Sequence, residues 1–136
     1  DRVQYIECTA EDLGLKNVHN LDLLTCSFGL RNMSDISLAL KNMHKVLKPG
    51  SFLKILEFAP SPKSFQWIYR AYCTAYLPFI GKVLFNDPQS YTYLSQSIEQ
   101  FHTPDQVKVL IEQAGFQEVQ LQSYDQGIVY QYEARA

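Results

Sequence analysis

A chain of 136 residues that is 46% hydrophobic and 19% charged has the content of one globular domain with a real core, which excludes a disordered segment. Its formal net charge of -2, with Lys and Arg scattered along the chain, excludes the massed basic surface that a nucleic acid backbone requires. The longest apolar stretches are broken by Lys, Asp, Gln or Pro before bilayer length, so neither a transmembrane helix nor a signal peptide is expected. Cys8, Cys26 and Cys73 are odd in number and embedded in apolar segments, which predicts reduced thiols inside a cell. No Cys pair has ligand spacing and His19, His44 and His102 are isolated, so no metal site is expected.

Val3 to Cys8 reads as a short strand, and the start at Asp1 without Met reads as though the beginning of a larger domain were missing. Leu21 to Cys26 is nearly all apolar and predicts a strand covered on both faces. It runs into Ser27-Phe28-Gly29-Leu30-Arg31-Asn32, a polar loop at the strand's carboxyl end, where an open α/β sheet places its ligand. Ser27 and Gly29 suit a tight strand exit. Ser34 or Asp35 can cap the next helix, in which Ile36, Ala39, Leu40, Met43, Val46 and Leu47 recur at helical spacing until Lys48-Pro49-Gly50 stops it. Phe52 to Phe58 is the next strand.

From Ser61-Pro62 the pattern changes to an aromatic stripe of Phe65, Tyr69, Tyr72, Tyr76 and Phe79, followed by a turn and a helix from Tyr91 to Phe101. These helices, over about 61–101, read as an insertion covering the sheet. Thr103-Pro104 opens another helix, which Gly115 ends. Val119 to Gln122 and Ile128 to Tyr132 are strands, and the segment between them is too short for a crossover, so they pair antiparallel. No Gly-rich turn links a strand to a helix anywhere in the chain.

Several elements, read together, resemble the UbiE-type family of ubiquinone and menaquinone C-methyltransferases. They are Ser27-Phe28-Gly29-Leu30-Arg31-Asn32, Val46-Leu47-Lys48-Pro49-Gly50, Leu56-Glu57-Phe58, Asp87 with Ser90-Tyr91 and Tyr93-Leu94, and Ala114-Gly115-Phe116. The resemblance runs from about Val3 to Val129. The Leu-Lys-Pro-Gly element is common to many methyltransferases, whereas Phe-Gly-Leu-Arg-Asn with the later Ser-Tyr-x-Tyr-Leu is far more specific. The resemblance implies an α/β fold, the Rossmann-like class I methyltransferase fold, here incomplete at its N-terminus and closed by a C-terminal antiparallel strand pair. It implies S-adenosylmethionine as cofactor, although the family's Gly-rich loop and ribose-binding acid lie outside these residues. Thr9-Ala10 stands where the family has Asn-Ala beside the adenine, and Ser27 matches a position beside the cofactor. Asp125-Gln126-Gly127-Ile128-Val129 resembles the family's Thr-x-Gly-Ile-Val element, while the family's His and Gly ending is absent.

In such a reaction a ring carbon attacks a methyl group on a sulfonium, and it becomes nucleophilic when a neighbouring phenol loses its proton. The resemblance implies a catalytic place for Arg31, whose fixed guanidinium fork suits the phenol oxygen, and Asn32 can orient the ring or a water. The plainer reading of Arg31 is a loop cation paired with Asp35 or Glu57. Glu57 itself either accepts from substrate or pairs structurally. Among the aromatics, Tyr69 and Tyr72 of the stripe either line an apolar substrate pocket, approach a bilayer surface or pack in the core. Tyr91 and Tyr93 either reach the ring oxygens or fix the insertion against the sheet.

The expected function is methylation of a prenylated quinol, at the cytoplasmic face of a bacterial membrane or the matrix side of the mitochondrial inner membrane. Peripheral membrane association and a homo-oligomer, or contact with other quinone-biosynthesis proteins, accompany that expectation. The alternative is a shortened quinone-binding or scaffold relative without the cofactor loop. In either case, strands without their neighbours leave open edges that a longer chain or an oligomer must cover.

Overall fold

The computed structural model describes residues 3–60 and 88–136, with the side chains of 88–92 and 95 left aside. A four-stranded sheet forms the centre: β1 (Leu21–Ser27), β2 (Leu47–Phe58), β3 (Gln117–Tyr124) and β4 (Val129–Arg135), in the order β1-β2-β4-β3. β1 and β2 are parallel, and β4 runs antiparallel to both β2 and β3. The last strand therefore inserts between two strands laid down earlier and reverses the sheet's direction there. The antiparallel pairing expected of the last two strands is observed.

Helix α1 (Ile36–Val46) is the crossover between β1 and β2. Asp35 caps it by accepting from the Leu38 N–H at 2.9 Å, so of the two candidate caps Asp35 has the role. Helix α2 (Pro88–Glu99) starts three residues earlier than the aromatic spacing suggests, and helix α3 (Pro104–Gln113) opens on a reciprocal Thr103–Gln106 capping box. Gly115, at φ +107°, takes the left-handed position that ends α3. α1 and α3 contact each other and the sheet, so they cover the same face. Between them and the strands lie Leu40, Met43, Leu53, Ile55, Val107, Ile111, Phe116 and Tyr132.

Three expectations change. Val3 to Cys8 is not a strand; its residues are exposed and pair with nothing in the sheet. Hydrophobic alternation there had no neighbouring strand to bond, and a strand exists only as part of a ladder. Among the described residues β1 is not covered on both faces: Leu23 is 50% exposed. Leu47 and Lys48-Pro49-Gly50 do not belong to the helix or to a link after it; β2 begins at Leu47, directly after α1, and its register with β1 slips between Leu21 and Leu23. The aromatic stripe with Tyr69 and Tyr72 lies outside the described residues.

Two substitutions test this account. Asp35→Ala lowers unfolding free energy by about 1 kcal/mol, while Ser34→Ala leaves it essentially unchanged. Ile55→Ala, at a site 1% exposed, lowers it by about 2–5 kcal/mol through lost burial and the resulting cavity. Urea denaturation measures both.

Candidate functional site

The carboxyl ends of β1 and β2 meet where the chain turns sharply. Ser27 is the last residue of β1, and Phe28 follows in the left-handed region at φ 55°. An aromatic residue rarely adopts that conformation, and such strain persists only where its surroundings fix it. Here the Phe28 N–H donates to the Leu56 carbonyl at 2.8 Å, and its ring lies 4.6 Å from that of Phe58. The Phe28 carbonyl accepts from Arg31 Nη1 at 2.9 Å and from Asn32 Nδ2 at 3.5 Å. The expected turn residue Gly29 keeps an ordinary negative φ. Its missing side chain instead gives room to Cys26, whose Sγ would lie 3.3 Å from an added Cβ.

Arg31 and Asn32 end a 3-10 turn, Leu30–Asn32, whose first residue is fully buried. Of the two carboxylates offered to Arg31 by the sequence, the structure selects Glu57. That carboxylate is 0% exposed, and its Oε1 lies 2.5 Å from Arg31 Nη1. Oε1 also accepts from the Phe58 N–H at 2.9 Å, while Oε2 accepts from the Arg31 N–H at 3.2 Å. β2 therefore holds the loop after β1 through both its backbone and its charge. The Arg31 side chain is only 8% exposed, and its Nε is buried without a partner among the described residues. Burial pushes the nearby Cys26 thiol up, and the Glu57 charge adds to that effect against the pull of the Gly29 N–H. Cys26 is thereby kept from acting as a thiolate.

α2 brings the insertion to this turn. The Tyr93 hydroxyl donates to Asn32 Oδ1 at 3.2 Å, so Tyr93 both joins the site and fixes the helix against it. A cavity of about 360 Å³ opens between them, with Arg31, Ile36, Tyr93, Gln96, Gln100 and Phe101 in its wall. Gln96 on α2 and Gln100 just past its end, whose N–H donates to the Gln96 carbonyl at 3.0 Å, were not singled out by sequence; their four-residue spacing was the available signal. The backbone of Tyr91 lies in α2, but its side chain and all of Tyr69 and Tyr72 fall outside the described residues.

The segment with Thr9 and Ala10 docks along α1. Glu11 Oε1 accepts from the N–H groups of Ser34 at 2.7 Å and Asp35 at 3.1 Å, and the Asn42 amide donates to the Glu11 carbonyl. Gly14 permits that close approach, since an added Cβ would stand 2.7 Å from Asn42 Oδ1. Ala10 and Cys26 each pack against the main core cluster. Ala10 is half-buried and Ser27 is exposed. The Thr9 hydroxyl is less free: it donates to Asp12 Oδ2 at 3.0 Å and accepts from the Asp12 N–H at 3.2 Å. It retains one lone pair for a ligand.

A family model described as the ubiE/COQ5 methyltransferase family matches residues 1–135. The ubiquinone/menaquinone biosynthesis C-methyltransferase UbiE of Proteus mirabilis is 41% identical over 128 residues, covering 93% of this chain and 51% of that protein. The UbiE protein of Escherichia coli O1:K1 is 39% identical with the same coverage. The chain thus spans about half the length of the curated relatives it matches. Among solved structures, an O-methyltransferase family protein from Burkholderia thailandensis superposes with a TM-score of 0.62 at 14% identity, over 98% of this chain and 36% of that one. Human N-acetylserotonin methyltransferase, solved in complex with SAM, gives 0.57 at 18% identity, over 91% and 32%. These likenesses establish the class I methyltransferase fold.

Two outcomes follow from the electrostatics. Backbone hydrogen bonding, first from Asp35, holds the Glu11 carboxyl below its usual range. A depressed folded pKa stabilises the protein above the unfolded value, and that contribution disappears as pH falls through the folded one. Glu11→Gln therefore melts earlier than wild type at pH 7, and the gap closes on acidification below the usual glutamate range. Arg31→Met leaves Glu57 buried and unpaired and destabilises by about 3–5 kcal/mol, much of which Arg31→Met/Glu57→Met restores. Thermal melts across pH and denaturant titrations measure these effects.

Proposed function

Because this chain belongs to the ubiE/COQ5 methyltransferase family, we propose that its residues form the acceptor side of an S-adenosylmethionine-dependent C-methyltransferase acting on a prenylated quinol precursor of ubiquinone or menaquinone. The observation that carries the reading is Arg31, held at the carboxyl edge of the sheet with a buried, unpartnered Nε beside a cavity of about 360 Å³. The relatives' names supply the reaction class, and the strained Phe28 turn supports a functional loop.

S-adenosylmethionine supplies the electrophilic methyl group. The Thr9–Ala10 segment and Ser27 would hold its adenosyl part. Arg31 donates to the ring oxygen whose proton leaves, so that charge forming on that oxygen meets a fixed donor. Asn32 is oriented by Tyr93, which occupies its Oδ1 and leaves Nδ2, otherwise only 3.5 Å from the Phe28 carbonyl, for a second oxygen. Bound S-adenosylmethionine would give up its methyl group to the ring carbon, the electron pair of the broken bond remaining on its sulfur, and the ring proton would pass to water. Holding the ring in line with that transfer lowers the barrier.

The substrate's hydrocarbon tail places this work at a membrane surface, cytoplasmic in a bacterium or matrix-facing in a mitochondrion. No helix among the described residues is long and apolar enough to cross a membrane.

Arg31→Lys in the full-length protein carrying this sequence keeps a cation beside Glu57 but removes the planar donor. It lowers turnover of a prenylated quinol by about a hundredfold, while calorimetry gives unchanged S-adenosylmethionine affinity. Unchanged turnover would remove Arg31 from the reaction.

A further inference from the structure

Glu11 joins two parts of the chain that the sequence keeps far apart. Its Oε1 accepts from two successive N–H groups, Ser34 at 2.7 Å and Asp35 at 3.1 Å, across 23 and 24 residues. Two adjacent amides converging on one carboxylate oxygen make a charge-assisted contact, and the positive end of α1 strengthens it. The main chain of Glu11 is held as well, because its carbonyl accepts from Nδ2 of the buried Asn42. Side chain and backbone of Glu11 are therefore both fixed to α1 and its entry.

The residues on either side of this contact belong to the two halves of the site. Thr9 and Ala10 directly precede Glu11, and their carbonyls accept from the N–H groups of Asp12 at 3.2 Å and Leu13 at 3.3 Å, so a displacement of the pair is passed to Glu11. At the other end only Met33 stands between Ser34 and Asn32. Met33 is not a slack joint: its N–H donates to the Leu30 carbonyl at 3.2 Å and it packs against the core cluster. A pull on the Ser34 N–H therefore reaches Asn32, whose Oδ1 holds Tyr93 of α2.

We propose that Glu11 is a positioning residue that couples these halves: a ligand ordering Thr9 and Ala10 also steadies the Leu30–Asn32 turn, so that cofactor and ring acceptor bind cooperatively through one carboxylate. This rests on the reading of Thr9–Ala10 as the cofactor side and of Arg31–Asn32 as the acceptor side. The coupling is reciprocal, since each ligand favours the same clamped arrangement. Glu11 acts through the backbone it holds and not on the reacting atoms.

The test uses the full-length protein carrying this sequence and two probes: S-adenosylhomocysteine, the demethylated cofactor that cannot react, and a short-chain prenylhydroquinone. Calorimetry gives the prenylhydroquinone affinity with and without saturating S-adenosylhomocysteine, which tightens it by about tenfold in wild type. Glu11→Ala brings that ratio to within about twofold of unity, whereas Glu11→Gln, which keeps an oxygen for both N–H groups, retains most of it. Asp35→Ala removes the cap from the same helix but leaves the Glu11 contact, so it lowers stability without moving the ratio. Loss of the ratio in Asp35→Ala as well would mean destabilisation rather than coupling and would overturn the assignment. A ratio of one in wild type, or an unchanged ratio in folded Glu11→Ala protein, overturns it too and leaves both binding readings standing. Failure of wild type to bind S-adenosylhomocysteine overturns the cofactor-side reading, failure to bind prenylhydroquinone overturns the acceptor reading, and the coupling falls with either. Should Glu11→Ala not fold, hydrogen exchange of the unaltered protein decides. S-adenosylhomocysteine alone slows exchange of the Ser34 and Asp35 amides by at least about tenfold; unchanged exchange overturns the coupling.

Discussion

A carboxylate with no exposed surface, placed at the end of a strand, is the constraint on which this site depends. Glu57 cannot be left alone in the protein interior, because a buried charge without partners costs several kcal/mol. The loop after β1 supplies what it needs: a guanidinium and a backbone N–H from Arg31, with a further N–H from Phe58. To deliver them the chain must reverse at Phe28, and that residue accepts a left-handed backbone in exchange for ring contact with Phe58 and two donors on its carbonyl. Asn32 follows in the same turn and receives Tyr93 from α2. The buried acid, the strained aromatic, the cation and the covering helix are thus one connected arrangement.

The elements that bury one regular face were legible in the sequence. Helical spacing from Ile36 to Leu47, one residue past the end of α1, the Thr103-Pro104 start with Gly115 at the end, and the short link between the last two strands led to α1, α3 and the antiparallel pair. Val3 to Cys8 was misread because alternation records a preference for a sheet, not the presence of a neighbour to pair with. β1 was misread in its surroundings for a related reason: an apolar run carries no statement of what covers each face, and Leu23 is half exposed among the described residues. Phe28 escaped notice because Gly29 beside it is the residue that ordinarily takes a positive φ.

Within the site, Arg31 and Asn32 were found through loop chemistry and motif, and the pairing with Glu57 was one of two alternatives open in the sequence. What decides between Asp35 and Glu57 is already assigned elsewhere in the fold: Asp35 is occupied as a helix cap, while Glu57 points from a buried strand end with two lone-pair-bearing oxygens to satisfy. Glu11 had no sequence signal as a partner of Ser34 and Asp35, because its backbone-to-side-chain bonds cross more than twenty residues. Such contacts depend on three-dimensional approach, here permitted by Gly14 against Asn42.

The separation between Arg31 and Glu57 has a kinetic meaning. The two groups are 26 residues apart and are joined only when β1 and β2 lie side by side in parallel register. A pairing across a crossover costs more loop-closure entropy than a hairpin and forms after local helices and hairpins. The β3–β4 ribbon and the helices can therefore acquire order while the Phe28–Asn32 loop is still shapeless. That loop gains its shape after those local elements, and loosening the parallel seam separates Arg31 from Glu57.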